Sequence, residues 1–588
     1  MTRGGALLLV IAVGVLVLLS QGLGANDIVA GDEGYYGIMA RNIGSSVEQV
    51  ISPSLSPLGP AGDKPPFYPL VLYGVLAIGG IDEVSLRLPT VVIIVAACLL
   101  LVPLGRALGC TEAGFWASLF FLVSPAAGRF GREVHAEPLV SLLGLAGILA
   151  YLTGLRSGRR RWIVAAGVAF GLGFLTKVWL VLPFAATAVG AGLIAGSTQR
   201  ARSGVVDGFH RSLRPALLVA GVTLAVMSLQ VMACLIFRPQ DVVHWLEIYF
   251  SFSLVRRVSG AAFDPSWRQP WHWYVALLGR SVSLVFPLCV FGLVHLSSTI
   301  WRRRVGTPKD SLSRLAFWLI VIWLLPLIPL SIVAVKGGHY VEMFVYPSFL
   351  TAGFGMVRLR ETIHGTDRPP AGALITAAAL SVIWIGGSLL GLPVGTSIRG
   401  IAIVVPAVAA IGWVGTLLLA ASARRAPRAL ARIAIPGMIA VVVLVGLGRD
   451  VQVVRSRSHV TGYARLAGIL APALDGLPPE RECFFAPEWP ALAFYTFRNG
   501  RYWESPYVAR DPEGALAAFR GADPYFFVID VGDQVLYGGT PDEETRRVLE
   551  AEGRRIAIPI DRDSLRVVVN AALAKRIDAV TPSATGSR

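Results

Sequence analysis

Apolar residues run in long, unbroken blocks over the first three quarters of the chain, with short polar segments between them. Only helices or closed barrels satisfy their backbone groups in lipid, and barrel strands would alternate apolar with polar positions. These blocks do not alternate, so the pattern predicts a polytopic α-helical membrane protein. The first block, Leu7 to Leu23, follows Arg3 and reads as an uncleaved signal-anchor. Cleavage at the small residues Gly22 to Ala25 is the lesser reading.

Further blocks predict spans at about 85–105, 112–127, 135–154, 162–177, 179–197, 215–236, 273–297, 314–335, 340–357, 373–391, 400–422 and 433–448, which with the first make 13. Phe67 to Gly80 is also apolar, but its roughly 14 residues are short against the about 20 that a crossing helix needs. Charge parity decides its placement. If it lies in the outer interface, the loops at Arg106, Arg156 to Arg161, 199–214, Arg302 to Arg304, 358–368 and 424–432 all fall in the cytoplasm. If it crossed, every one of these basic loops would fall outside, against the positive-inside rule. Residues 24–84 therefore read as a first extracytoplasmic loop with juxtamembrane helices.

After Gly448 the pattern changes. Glu482 to Ala486, Arg501 to Tyr507, Tyr525 to Asp530, Arg555 to Ile560 and Ser564 to Asn570 read as short strands. Helical stretches lie between them, including Gly514 to Arg520 and Asp542 to Gly553. The chain thus divides into a membrane domain, 1–448, and a small soluble extracytoplasmic α/β domain, 449–588. No glycine-rich phosphate loop or nucleophile elbow occurs in the latter, and a periplasmic cap is its plain reading.

Composition sharpens this picture. The 588 residues are 54% hydrophobic and 15% charged, and the net charge is +16. The basic residues sit in the short loops, so the positive-inside rule accounts for them and nucleic-acid binding is not implied. Five cysteines show no CxxC or metal spacing, which argues against a disulfide framework or a zinc site. Of 53 basic residues only Lys64, Lys177, Lys309, Lys336 and Lys575 are lysine, so each retained lysine hints at a need for a compact ammonium.

The polar residues that this topology places outside form a set. Asp32, Glu33, Asp63 and Lys64 come from the first loop, and Arg129, Arg132, Glu133, His135 and Glu137 from the second. Lys177 comes from the third, and Lys336, His339, Tyr340 and Glu342 from the fifth. A charge drawn to mid-membrane costs up to about 3 kcal/mol, so acids and cations gathered at one membrane face suggest a site.

Taken in order, the motifs are an acid pair after the first span, Lys64-Pro-Pro before the interfacial helix, Ser85-Leu-Arg-Leu-Pro89, Glu137-Pro138, Gly173-Phe-Leu-Thr-Lys177 and Lys336-Gly-Gly-His-Tyr340. This ordered series resembles the polyprenyl-phosphate-dependent glycosyltransferases of the GT-C class. It is similar above all to bacterial aminoarabinose transferases and dolichyl-phosphate-mannose–protein mannosyltransferases. The resemblance implies the GT-C fold and inverting transfer of a sugar from a polyprenyl-phosphate donor at the outer face of the cytoplasmic membrane. The acceptor would be an envelope lipid, glycan or protein.

An acceptor hydroxyl is a poor nucleophile and needs a carboxylate within hydrogen-bond reach as general base. Asp32 matches the family's catalytic acid, with Glu33 its neighbour. Glu137 falls where the family carries a second acid, normally Asp. The departing phosphate needs cations aimed at it. Lys64 and Lys336 fit that role, with His339 and Tyr340 as hydrogen-bond donors and Lys177 either joining them or snorkelling at a helix end. Metal dependence stays open, since Asp32 and Glu137 offer oxygen ligands to a divalent ion. Two departures stand out. Tyr35 occupies a position where aminoarabinose transferases carry Arg, so a phosphate contact is lost or is supplied by Arg41, Arg129 or Arg132. Lys-Gly-Gly-His-Tyr also replaces the more usual Lys-Leu-Pro-His-Tyr.

The loop from Phe237 to Trp273 carries Trp245, Trp267, Trp271 and Trp273 around Arg256 and Arg257. Such aromatics ordinarily anchor a protein at the interface. The functional reading is a lid over the donor, with Arg256 or Arg257 near its phosphate. Two other functions compete with the enzyme. A transporter of lipid-linked saccharide would place ionisable residues at mid-span, often in repeated halves. A scaffold subunit of an envelope complex would have no need of Asp32, Lys64 and Glu137 together.

Overall fold

A computed structural model describes residues 3–28, 32–54, 64–203, 205–239, 269–301 apart from 271, 308–333, 338–364, 411–419, 425–456, 462–486, 489–501, 512–530, 543–560 and 563–580, with a few isolated positions besides. Asp63, Trp245, Arg256, Arg257, Trp267, Trp271, Lys336 and nearly all of the predicted span at 373–391 lie outside the described residues.

Apolar helices dominate. Among the described residues six are long and apolar enough to cross a bilayer, or seven if one bent pair is a single span. That pair, within the predicted span 273–297, turns by 72° between Trp273–Ser281 and the helix that follows. The chain is a multi-pass membrane protein. Helix Glu83–Ala107 starts where the Asp82 side chain accepts from Ser85 N at 2.7 Å, an ordinary N-cap. Helix Glu137–Ser157 stops at Gly158, whose φ of 64° suits a residue without a Cβ.

The predicted single span at 112–127 is broken. Thr111–Leu122 ends early, and a separate short helix, Pro125–Gly131, begins with proline in its first turn. Proline's missing N–H is harmless there but would interrupt a continuous helix. The segment expected as loop from Gly128 is therefore partly helical. The bundle is drawn tight where glycines let backbones touch. A Cβ on Gly353 would lie 2.0 Å from Ala113 O, and one on Gly355 would lie 2.1 Å from Leu288 O.

Phe67–Gly79 is a separate apolar helix of 13 residues, about 20 Å long and hence shorter than the hydrocarbon core. Its first amide, Phe67 N, donates to Leu175 O at 3.1 Å. That bond ties the Lys64-Pro-Pro segment to the turn that carries Lys177.

Beyond the last long helix, Arg425–Ser456, the chain forms a five-stranded mixed sheet flanked by helices. The strands are β1 (Glu482–Phe485), β2 (Asn499–Arg501), β3 (Phe526–Asp530), β4 (Arg554–Ile560) and β5 (Asp563–Val569), in the order β2-β1-β3-β5-β4. β1 runs parallel to β2 and β3, and β5 runs antiparallel to β3 and β4. Alternate residues face opposite cores, as the strand period of two requires. Phe485, Phe527, Ile529 and Val568 join Phe519 and Leu549 on one side. Phe484, Phe526, Val528, Val567 and Val569 enter a larger cluster on the other.

That larger cluster does not stop at the sheet. It continues through Leu466, Leu470, Leu492 and Phe494 into Tyr36, Ile38 and Met39 of helix Asp32–Ile43, and on to Tyr68 and Leu72. One apolar core thus joins the C-terminal sheet to the helix that begins with the acid pair.

Candidate active site

Four chain segments converge on Asp32, the first residue of its helix. A carboxylate in the first turn of a helix is favoured by the unpaired N–H groups there. Lys64 donates to Asp32 Oδ1. Lys177 Nζ lies 3.6 Å from Asp32 Oδ2, and His135 Nδ1 lies 3.8 Å from the same oxygen. Burial pushes the Asp32 carboxyl up, but Lys64, Lys177 and the nearby His135 outweigh it and hold the group well below the usual carboxylate range.

Glu137 stands beside this group at the start of its own helix. Lys177 donates to Glu137 Oε1, and His339 Nε2 lies 3.3 Å from that oxygen. Glu137 Oε2 is buried and makes no hydrogen bond among the described residues. The two imidazoles stack, with His135 and His339 centroids 5.0 Å apart at 23°. Burial disfavours a charged His135, but the carboxylates around it, Asp32 at 3.8 Å from Nδ1 and Glu133 hydrogen-bonded at 2.8 Å from Nε2, lift it to about 10. Burial pushes His339 down to about 3, and Lys177 and His135 reinforce the shift. The stack therefore pairs an imidazolium with a neutral ring, and two facing positive charges are avoided.

Aromatic faces hold both ammoniums. Lys64 Nζ is 4.4 Å from the Tyr36 centroid, and Lys177 Nζ is 5.2 Å from that of Tyr340. Each ammonium has three donors, so it can hold a carboxylate and an incoming anion together.

Asp32, His135 and Glu137 present one ligand atom each within 4.8 Å of one another. Two ammoniums already sit on the carboxylate oxygens that a divalent ion would need, so an ion would have to displace Lys64 and Lys177.

Glu33, expected beside Asp32 as a catalytic acid, has a different partner. Arg87 binds both its oxygens, each at 2.8 Å, and both side chains are almost completely buried. The same guanidinium donates to the carbonyls of Leu23 (2.6 Å), Asn26 (2.8 Å) and Asp27 (2.7 Å). Arg87 therefore fixes the chain just before the acid pair. The Ser85-Leu-Arg-Leu-Pro89 motif by itself does not reveal this role of the arginine. A buried carboxylate needs such a partner, and that requirement was the available signal.

Two arginines considered for the phosphate are engaged elsewhere. Arg132 donates to the Leu19, Gln21 and Gly22 carbonyls, where it caps the first helix. Arg41 donates to the carbonyls of Phe494 and Tyr495. Lys177 does not snorkel: it bridges Asp32 and Glu137. Lys336, Arg256 and Arg257 lie outside the described residues.

Residues 63–205 match the family model described as dolichyl-phosphate-mannose-protein mannosyltransferase. No curated protein sequence matches the chain. Among solved structures, ArnT from Cupriavidus metallidurans bound to undecaprenyl phosphate is similar over 97% of this chain and 99% of its own, with a TM-score of 0.62 and 17% identity. Its apo state gives 0.62 and 18% over the same shares. The archaeal oligosaccharyltransferase AglB from Archaeoglobus fulgidus, in complex with an inhibitory peptide and a dolichol-phosphate, is similar over 85% of this chain and 65% of its own, with a TM-score of 0.50 and 12% identity. At such identities the likeness carries the fold. The chain has the fold of the GT-C glycosyltransferases, and its residues 63–205 match the dolichyl-phosphate-mannose-protein mannosyltransferase family model.

Proposed function

We propose that this protein is an inverting glycosyltransferase. It moves a sugar from a polyprenyl-phosphate donor to an envelope lipid, glycan or protein at the outer face of the cytoplasmic membrane. The observation that carries this reading is the convergence of Asp32, Lys64, His135, Glu137, Lys177 and His339 on one cluster from separate parts of the chain.

Asp32 is the general base. It is ionised at neutral pH, and it takes the proton as the acceptor oxygen attacks the anomeric carbon. The glycosyl–phosphate bond breaks as the new bond forms, and the phosphate leaves on its lipid. Lys64 and Lys177 neutralise the charge that develops on it. His339 and Tyr340 complete that side, and Lys336 with Arg256 or Arg257 are assigned to the phosphate from the sequence alone. Glu137 Oε2, which makes no hydrogen bond among the described residues, accepts from a hydroxyl of the donor or the acceptor, since a buried acceptor left without a donor is costly. Glu33 acts through Arg87, holding the acid helix in place. ArnT was solved with undecaprenyl phosphate and AglB with a dolichol-phosphate, which supports a polyprenyl phosphate as the donor's carrier.

The membrane domain, 1–448, has 13 spans in this reading, and the acid cluster, the 67–79 helix and the C-terminal α/β domain, 449–588, lie outside. Mass spectrometry of envelope lipids and glycoproteins, from cells with and without the gene, tests it. The loss of one sugar mass from one acceptor class is expected. An unaltered envelope with an unaltered pool of lipid-linked sugar would remove the reading.

A further inference from the structure

The residues just before the acid helix are gripped from two sides, and the second grip comes from the C-terminal sheet region. Arg87 takes the carbonyls of Asn26 and Asp27. From the other side, Ile28 N donates to the Tyr495 hydroxyl at 2.8 Å, and Tyr463 N donates to Asp27 Oδ2 at 3.2 Å. The Tyr495 hydroxyl donates in turn to Glu83 Oε1 at 2.6 Å. Glu83 opens the helix that carries Arg87. One phenol therefore links the chain four residues before Asp32 to the helix that holds Glu33.

The helix that carries Tyr495, Trp489–Thr496, is also docked along the acid helix itself. A Cβ on Gly34 would lie 2.7 Å from the Pro490 carbonyl carbon, and one on Gly37 would lie 2.6 Å from a ring carbon of Phe494. Contacts this close leave only glycine room. At the far end, Arg41 donates to the Phe494 and Tyr495 carbonyls, and its guanidinium lies 4.4 Å from the Phe497 centroid. The acid helix is thus fixed at its start, middle and end by residues 463–497.

We infer that the C-terminal region sets the geometry of the acid helix, and that Tyr495 is a positioning residue for the reacting carboxylate of Asp32. The inference rests on the transferase reading above for what Asp32 does, and on the contacts alone for how it is held. A base works only within hydrogen-bond reach of its proton, and small displacements are expensive in rate. Such an effect lowers kcat and leaves donor binding nearly intact.

The test uses the purified full-length protein in lipid nanodiscs. Tyr495→Phe keeps the ring and removes the hydroxyl. It is expected to lower kcat about tenfold or more, with the KM for donor within about twofold and the folded fraction unchanged. Glu83→Gln keeps an acceptor for the phenol and retains activity, whereas Glu83→Ala reproduces the loss. The double variant Tyr495→Phe/Glu83→Ala is no slower than either single variant, as members of one linkage are not additive. A wild-type kcat for Tyr495→Phe, or additive losses, would overturn the inference. Hydrogen exchange is read in parallel, whether or not transfer is detected. Peptides covering 24–43 should exchange faster in Tyr495→Phe, and those from 137–157 should not change. Unchanged exchange over 24–43 overturns the positioning claim. A wild-type protein that transfers nothing yet shows the exchange shift would overturn the transferase reading and leave the linkage standing.

Discussion

Around Asp32, two ammoniums and an imidazolium surround one carboxylate, and this fixes how the residue behaves with pH. Because cations hold its pKa down, the group stays ionised until the pH falls well below the ordinary carboxylate range. The acid limb of kcat/KM is therefore expected there. Lys177→Met removes one cation, so the Asp32 pKa rises and the limb moves to higher pH, alongside a lower overall rate. An unmoved limb would show that a different group titrates. Because these lysines already occupy the carboxylate oxygens, treatment with EDTA is expected to leave transfer unchanged. A requirement for added Zn²⁺ or Mn²⁺ would show that an ion takes over these carboxylates. Asp32, Lys64, Glu137 and His339 were legible as a set because each sits in a short motif of fixed order. The stacking of His135 on His339 was not legible, since nothing local in either segment refers to the other.

At the level of elements, the buried Glu33–Arg87 pair acts as a clamp on the loop before the acid helix. Glu33→Gln leaves a buried guanidinium without its counter-charge. Breaking such pairs costs about 3–5 kcal/mol, so thermal stability should fall clearly. Asp32→Asn should cost less stability than Glu33→Gln, because Asp32 and its lysines keep part of their surface in solvent whereas Glu33 and Arg87 are almost fully buried. Equal stability losses for the two would contradict this division of roles. Adjacent acids look alike in sequence, and their separate roles depend on Arg87, 54 residues further along the chain. Strands β1, β3, β4 and β5 could be read in advance because alternation and turn residues are local signals. By contrast, β2 at Asn499–Arg501 meets the expected strand Arg501 to Tyr507 only at Arg501, and the rest of that stretch lies outside the described residues. The docking of helix Trp489–Thr496 could not, as its apolar residues give no hint of the partner that Gly34 and Gly37 provide.

For the whole molecule, the arrangement of helices and charges predicts which parts of the chain meet which compartment. Ser157 and Asp475 are both exposed at their positions in the fold. With Ser157→Cys and Asp475→Cys variants in intact cells, an impermeant maleimide applied from outside should label position 475 and spare 157. The reverse would invert the topology and move the acid cluster to the cytoplasm. In that proposed topology the helix at Phe67–Gly79 does not cross, as its length and the arginines of the later loops predict.

The most direct measurement returns to Asp32. Cells lacking the gene are supplied with either the wild-type gene or Asp32→Asn, with equal amounts of folded protein in the membrane, and their envelope lipids and glycoproteins are compared by mass. The wild-type gene should restore the missing sugar. Asp32→Asn should leave the acceptor bare, while lipid-linked sugar accumulates. Restoration of the sugar by Asp32→Asn at the wild-type level would contradict the account.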